Sequence, residues 1–164
     1  MSRPVDQREL YLSFWEREAP ATRKVIGRVP ESQAEYRPDP RSRAARDLAW
    51  LIVFEERALV EALEQGRLDW KETPSPLTVG EVVETYDREH AEITKRLRAL
   101  PAKLWEGEVP FIFGGNEVMR DTGYALAWAF LFDQIHHRGQ LCTYLRPMGS
   151  KVPAIYGPSA DEPV

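Results

Sequence analysis

Apolar positions recur every three to four residues in four long segments of the chain, a spacing that is typical of amphipathic helices. The first segment covers about residues 5–28, from Val5 onward, and Leu10 belongs to its apolar side. Pro20 lies within it and predicts a kink or a split at that point. The other three segments cover about residues 42–65, 78–100 and 121–148.

Local signals mark the ends of these predicted helices. Gly66 follows the second segment and is a predicted C-cap, because glycine accepts the left-handed conformation that often ends a helix. Thr78 followed by Glu81 predicts a capping box at the start of the third segment. Between the third and fourth segments, two short apolar runs flank Gly114, which favours a hairpin over a helix and predicts a short irregular or hairpin crossover at about residues 107–120.

Four long helices with one long crossover between the third and the fourth predict an all-α four-helix bundle. We expect one domain spanning residues 1–164, because a chain of this length builds one sizeable core. The proline- and glycine-rich tail after residue 149 is predicted to wrap the bundle as an ordered coil or to fray. Such a bundle offers a pocket between helices, lined by side chains from facing positions.

Composition narrows the function classes. Hydrophobic residues make up 43% of the chain, charged residues make up 29%, and the net charge is −4. No stretch is basic enough for a nucleic-acid partner, and the most apolar run, GYALAWAFLF, has about half the ~20 residues of a membrane span. The N-terminus lacks the apolar core of a signal peptide, so we expect a cytoplasmic protein. The single cysteine, Cys142, excludes an internal disulfide.

The stretch FDQIHHRGQLCTYLRPMG contains two of the three histidines, His136 and His137, with Asp133 four residues before the second. Residues four apart share one helix face, so Asp133 and His137 project together, whereas His136 points about 100° away. An oxygen and an imidazole nitrogen on neighbouring turns suit zinc, nickel, manganese or iron. The alternative is a simple aspartate–histidine pair at the bundle edge or a histidine hydrogen-bonded in the core.

Three further polar residues have local interpretations. His90 has charged neighbours on both sides and is predicted to face solvent on the third helix. Arg138 is predicted to cap a helix or form a salt bridge. Gln140 lies three residues beyond His137 and is predicted to line the same pocket.

Two stretches, HHRGQLCTYLRPMGSKVPAIYGPSADE and VPESQAEYRPDPRSRAARDLAWLIVFEE, resemble the signatures of the DinB/YfiT-like family of DNA damage-inducible four-helix proteins. The resemblance implies an up-down-down-up bundle, frequent homodimers and a divalent metal held by three histidines. It also implies that one histidine comes from the second helix and two from the fourth, as H-x-x-x-H before R-G-Q.

This chain departs from that pattern at two of the three positions. Leu51 stands where the second-helix histidine is expected, and Asp133 stands where the first histidine of the pair is expected. Only His137 matches. Leucine cannot bind metal, so the three-histidine site implied by the resemblance is degraded here.

Glu55 is a candidate replacement ligand. It lies one turn beyond Leu51 on the same face, and helical side chains lean toward the N-terminus, so its carboxylate can reach back to the level of Leu51. Glu55, Asp133 and His137 would then form a two-carboxylate, one-histidine site for a divalent metal with open positions for water. Alternatively, Leu51 fills the site and Glu55 pairs with a nearby base or with His137.

Two functional hypotheses follow. The resemblance suggests a divalent-metal-dependent hydrolase or thiol transferase, in which the metal activates water or a low-molecular-weight thiol. The alternative is a non-catalytic binding or stress-response module that has lost its metal. The catalytic residues and the substrate are left open by the sequence under both hypotheses.

Overall fold

The structure, a computed structural model, describes residues 6–163. These residues form five α-helices, a single 3₁₀ turn at Glu31–Gln33 and three short strands. In chain order the helices and strands are α1 (Gln7–Ile26), α2 (Ala45–Gln65), β1 (Leu68–Asp69), α3 (Val79–Ala99), α4 (Ala102–Glu106), β2 (Glu108–Phe113), β3 (Asn116–Thr122) and α5 (Gly123–Leu145).

The chain is mostly helical, and the four predicted long helices correspond to α1, α2, α3 and α5. The all-α prediction requires a correction, because a small three-stranded sheet is also present. In this sheet β2 pairs with β3 as an antiparallel hairpin and with β1 in parallel. The hairpin was predicted, but β1 was not, since a strand of two residues carries no detectable period.

Helix ends follow the predicted capping chemistry. The Thr78 side chain accepts a hydrogen bond from the Glu81 backbone N–H, and the Glu81 carboxylate accepts one from the Thr78 backbone N–H, which confirms the capping box of α3. Gly66 ends α2 with a φ of 67°, as predicted. The fourth predicted helix begins later than expected, because residues 121 and 122 belong to strand β3.

Helix α1 differs from its prediction in two respects, and the predicted start at Val5 lies outside the described residues. The helix runs through Pro20 without interruption, so the predicted split is wrong. Leu10 is 42% exposed, whereas Tyr11 and Trp15 are buried, so the predicted place of Leu10 on the inward side is wrong.

The four long helices enclose one apolar core. Helix α1 packs against α3 and α5, and α2 packs against the same two helices, so α1 and α2 lie on opposite sides of the bundle. Helix α2 is buried along most of its length. Its side chains therefore reach both the α2–α5 interface and the interior between α1 and α3.

The C-terminal tail is an ordered coil held against the bundle, as predicted. Glu162 forms ion pairs with Lys24 in α1 and with Arg28, which follows α1. These contacts lower the pKa of Glu162 to about 2. Arg138 is buried and forms a salt bridge with Glu18 at 2.8 Å, which confirms one of its two predicted roles.

The described part of the chain contains no helix that is both long enough and apolar enough to cross a bilayer.

Candidate metal centre

The packing of α2 against α5 brings three predicted ligands together. Glu55 projects from α2, and Asp133 and His137 project from neighbouring turns of α5. Each side chain offers one donor atom, and these three atoms all lie within 4.8 Å of one another. The candidate set inferred from helical spacing is thus one cluster in space.

The separations of the donor atoms suit a small divalent ion. His137 Nε2 lies 3.4 Å from Glu55 Oε1 and 3.5 Å from Asp133 Oδ1. Both distances are too long for a good hydrogen bond. Ligands at the zinc–nitrogen and zinc–oxygen bond length of ~2.1 Å, placed at the corners of a tetrahedron, are about 3.4 Å apart. His137 Nε2 therefore lies at such a separation from both carboxylates, and the two carboxylate oxygens lie within 4.8 Å of each other.

Gln140 fixes the orientation of the His137 ring. Its Oε1 lies 3.0 Å from His137 Nδ1, so Nδ1 donates its hydrogen to the amide oxygen. Gln140 Nε2 in turn lies 2.9 Å from His136 Nε2 and donates to it. This network leaves Nε2 of His137 directed at the two carboxylates, where it holds a proton in the metal-free chain and can bind a metal ion once that proton leaves. The prediction that Gln140 lines the same pocket requires a correction, because Gln140 lines a neighbouring pocket with His137 and is not in the wall of the pocket that holds all three donors. His136 contacts the site only through Gln140.

Glu55 is the buried member of the cluster. Its side chain is 2% exposed, and within residues 6–163 its buried Oε2 atom has no hydrogen-bond partner. Burial raises the pKa of Glu55 to about 7, against the lowering effect of His137. A buried carboxylate oxygen without a donor is costly, and a cation removes that cost.

The two other donors are more accessible. Asp133 is 56% exposed and forms the solvent side of the cluster. Burial lowers the pKa of His137, but its contacts with Glu55 and Gln140 and the charge of Asp133 outweigh burial and raise that pKa to about 9. A proton and a metal ion therefore compete for the same nitrogen.

Leu51 lies beside the cluster, 4% exposed, one turn before Glu55. It lines a pocket of about 270 Å³ together with all three donors, so it occupies the wall where a further ligand would stand. The rest of the wall consists of Arg43 and four aromatic residues, which are Trp70, Phe111, Phe113 and Phe130. The aromatic wall was not predicted from the sequence. The apolar runs of the predicted hairpin, which contribute Phe111 and Phe113, could have indicated it.

The predicted position of His90 is wrong. It does not face solvent: its ring stacks with Trp15 and Tyr86 in the interior between α1 and α3. Its side chain is 18% exposed, and its Nδ1 contacts the buried carboxylate of Glu56. The spacing Tyr86, His90, Ile93, Leu97 follows the inward stripe of α3, so the helical period was a better guide than the charged neighbours in sequence.

The sequence model of the DinB family matches residues 1–163. The chain belongs to the DinB family. Two solved DinB-like proteins share the fold. The DinB-like protein YjoA from Bacillus subtilis is 19% identical, with a TM-score of 0.69 over 88% of this chain and 96% of that chain. A DinB-like protein from Bacillus cereus ATCC 10987 is 20% identical, with a TM-score of 0.74 over 90% of this chain and 97% of that chain. No curated protein matches the chain.

Membership in the DinB family agrees with the resemblance seen in the sequence. At these identities the two solved structures establish the fold of this DinB protein and leave its chemistry to its own residues. Whether this chain can bind metal with Leu51 and Asp133 at two histidine positions therefore depends on the geometry of its own cluster.

Proposed function

We propose that this DinB protein binds a divalent metal through Glu55, Asp133 and His137 and acts as a metal-dependent hydrolase or thiol transferase. One observation carries the proposal: a buried carboxylate with an unpartnered oxygen converges with an oriented imidazole and a second carboxylate. A divalent ion bound there supplies Lewis-acid activation, which lowers the pKa of a bound water or thiol.

The side chains around the cluster have distinct tasks in this proposal. Gln140 holds His137 in the tautomer that leaves Nε2 free. Burial raises the pKa of Glu55 to about 7 in the metal-free chain, so metal binding near neutral pH displaces a proton from part of this carboxyl group. Leu51 and Phe130 line the pocket with apolar surface and limit the water within it.

The pocket suits a small substrate. Its volume of about 270 Å³ lies just below the range of roughly 300–1,000 Å³ of most ligand pockets. A low-molecular-weight thiol or a small ester with an apolar body fits such a space. Arg43, which also pairs with Glu72 at 2.7 Å, is the charged residue in the pocket wall that can contact a polar group of the substrate.

The donor set also predicts the kind of metal. Two carboxylates and one imidazole form a harder set than three imidazoles, so zinc and nickel should bind less tightly than in a three-histidine site. Manganese and iron should compete effectively, because they accept oxygen ligands readily.

Metal analysis tests the proposal. Protein purified without an affinity tag is loaded with zinc or manganese, desalted and measured by mass spectrometry of the metal. We expect about one equivalent per chain, and we expect none in Glu55→Gln or His137→Ala. Glu61→Gln, an exposed glutamate on the same helix, is the matched control and should keep its metal. Absence of metal from the parent chain would favour the non-catalytic binding module instead.

Activity assays separate the two reaction classes. The metal-loaded chain is assayed with 4-nitrophenyl acetate for hydrolysis and with cysteine plus 1-chloro-2,4-dinitrobenzene for thiol transfer. We expect one of the two activities above background, lost in His137→Ala and retained in Glu61→Gln. If neither probe reacts in a loaded chain, the site binds metal without either of these chemistries.

We propose an up-down-down-up order for the four long helices. Side-chain pairs between the helices support this order. They indicate that α2 is parallel to α3, that α1 is parallel to α5, and that α1 is antiparallel to α3. The pairs are Glu56–His90 and Glu64–Arg96, then Tyr11–Trp128 and Glu18–Arg138, then Glu16–Arg98 and Arg23–Asp87.

We also propose that the chain forms a homodimer in the cytoplasm. Large apolar side chains are exposed on α5 and the hairpin, among them Phe132 at 62%, Phe113 at 56% and Val118 at 57%. Such surface is typical of an interface. Light scattering at micromolar concentration should give twice the chain mass, and a monomer at all concentrations would contradict the dimer.

A further inference from the structure

A second concave site lies between α1 and α3, away from the α2–α5 interface that holds the candidate metal ligands. This groove, which we call the α1–α3 groove, has a volume of about 610 Å³, within the range of roughly 300–1,000 Å³ of small-molecule sites. His90 lies in its wall, together with Ala19, Pro20 and Ala91.

The His90 ring is held rigidly. Trp15 stacks on it with ring centroids 5.2 Å apart, and Tyr86 also stacks on it with ring centroids 5.3 Å apart. Nδ1 lies 3.1 and 3.0 Å from the two carboxylate oxygens of Glu56, which is 3% exposed. Among the described residues Glu56 has no other hydrogen-bond partner, so the buried carboxylate depends on this ring.

Both carboxylate oxygens of Glu56 lie within hydrogen-bond distance of Nδ1. An ionised carboxylate has no hydrogen of its own, so this contact is a hydrogen bond when His90 Nδ1 carries the hydrogen and Glu56 accepts it. The Nε2 atom of His90 has no hydrogen-bond partner in residues 6–163 and is not a buried atom, so it opens to the α1–α3 groove.

The surroundings of Nε2 restrict the chemistry of a ligand. Ala19, Pro20 and Ala91 supply apolar surface close to the ring. The charged side chains at the rim each have an opposite partner: Arg23 pairs with Asp87, Arg98 with Glu16, and Lys95 with Glu92 just outside the groove. A compensated rim gives no net attraction for an ion, so a neutral molecule fits better than a charged one.

We propose that the α1–α3 groove binds a small, largely apolar molecule with one hydroxyl group, whose hydrogen is accepted by His90 Nε2. Glu56 acts as a positioning residue that fixes the tautomer and presents Nε2 as an acceptor. Phenol is the simplest molecule with these properties. Anisole has the same ring and oxygen but no hydrogen to donate, so it isolates the contribution of the hydroxyl group.

Ligand-observed NMR titration of the full chain with phenol and with anisole tests the proposal. Phenol should bind roughly 3- to 10-fold more tightly than anisole, as expected for one hydrogen bond. His90→Phe keeps an aromatic ring beside Trp15 and Tyr86 and should reduce the preference to about one. Equal binding of the two probes to the parent chain, or an unchanged preference in His90→Phe, would overturn the proposal.

A second variant covers the case in which His90→Phe does not fold. Ala91→Trp places a large side chain in the groove and leaves Glu56 and His90 themselves unchanged. It should abolish phenol binding while the melting temperature stays unchanged. Retained phenol binding in a folded Ala91→Trp chain would place the ligand elsewhere and refute the assignment.

Discussion

Two adjacent glutamates of α2 face two different histidines, and the comparison explains how one helix can serve two sites. Glu55 meets His137 of α5, whereas Glu56 meets His90 of α3. Successive residues on a helix point about 100° apart, so neighbouring carboxylates enter different interfaces. The two pairs have the same chemical composition but different geometry.

The difference lies in which ring nitrogen faces the carboxylate. At His137 the amide of Gln140 takes Nδ1, so Nε2 converges with two carboxylates at 3.4 and 3.5 Å. At His90 the carboxylate itself takes Nδ1 at 3.0 Å, so Nε2 opens to a groove. The first geometry suits a cation, and the second suits a ligand that donates a hydrogen bond.

The largest expected effect separates the two pairs by metal affinity. His137→Ala should weaken zinc binding by roughly 100-fold or more, because it removes the one nitrogen ligand. His90→Phe should leave zinc binding unchanged, because Glu56 and His90 lie outside the cluster. Isothermal titration calorimetry at one pH measures both. Equal losses in the two variants would mean that the two sites are not distinct.

Stability should distinguish the two glutamates. Glu56→Gln replaces a buried acceptor that contacts His90 with an amide whose N–H₂ group lacks a partner, so it should lower the free energy of unfolding by about 1–2 kcal/mol. Glu55→Gln should change it by less than about 0.5 kcal/mol in the metal-free chain, because Glu55 makes no good hydrogen bond and its Oε2 is already unpartnered.

Urea unfolding of both variants provides the measurement. A larger loss in Glu55→Gln than in Glu56→Gln would show that the Glu55–His137 contact is the stronger structural pair. It would also weaken the argument that Glu55 is held in place for a ligand.

A smaller gain is expected from restoring the missing imidazole. Leu51→His adds a nitrogen donor from α2 next to Glu55, and it should raise the affinity for zinc or nickel by about tenfold. His137→Ala in the same chain should abolish that gain. If titration calorimetry shows no gain in Leu51→His, the placement of Leu51 beside the metal ligands is wrong.

The smallest effect concerns pH, because His137 is partly exposed and solvent screens its charge. In the metal-free chain the pKa of Glu55 is raised to about 7 and that of His137 to about 9. The folded chain thus holds more protons than the unfolded one, so both shifts make the free energy of unfolding fall with rising pH. The contribution of His137 is complete below its unfolded pKa of about 6.5 and is lost as pH rises through about 9.

Proton NMR of the His137 ring measures this titration directly. Glu55→Gln should move the midpoint downward, toward the ordinary value of about 6.5. Glu56→Gln is the comparison and should leave the His137 midpoint in place. An unaltered midpoint in Glu55→Gln would show that Glu55 does not hold the proton on His137.

Particular residues show how far the sequence could be interpreted. Asp133 and His137 lie four apart on one helix, and their convergence is a property of that helix alone, so it was predicted. Glu55 required one further step, the family resemblance that places α2 against α5. His90 was predicted to face solvent because of its charged neighbours in sequence. Its helical position, on the inward stripe with Tyr86 and Leu97, was the better guide.

The sequence by itself determined the four long helices, the capping box at Thr78, the hairpin and the shared face of Asp133 and His137. These features depend on contacts within a few residues, where helical and extended periods are enforced by backbone geometry. The tertiary structure alone decided that Glu56 pairs with His90, that Gln140 sets the His137 tautomer, and that strand β1 joins the hairpin. Each depends on which helices become neighbours and how they are rotated, and apolar burial sets that rotation over the whole core rather than within any one segment.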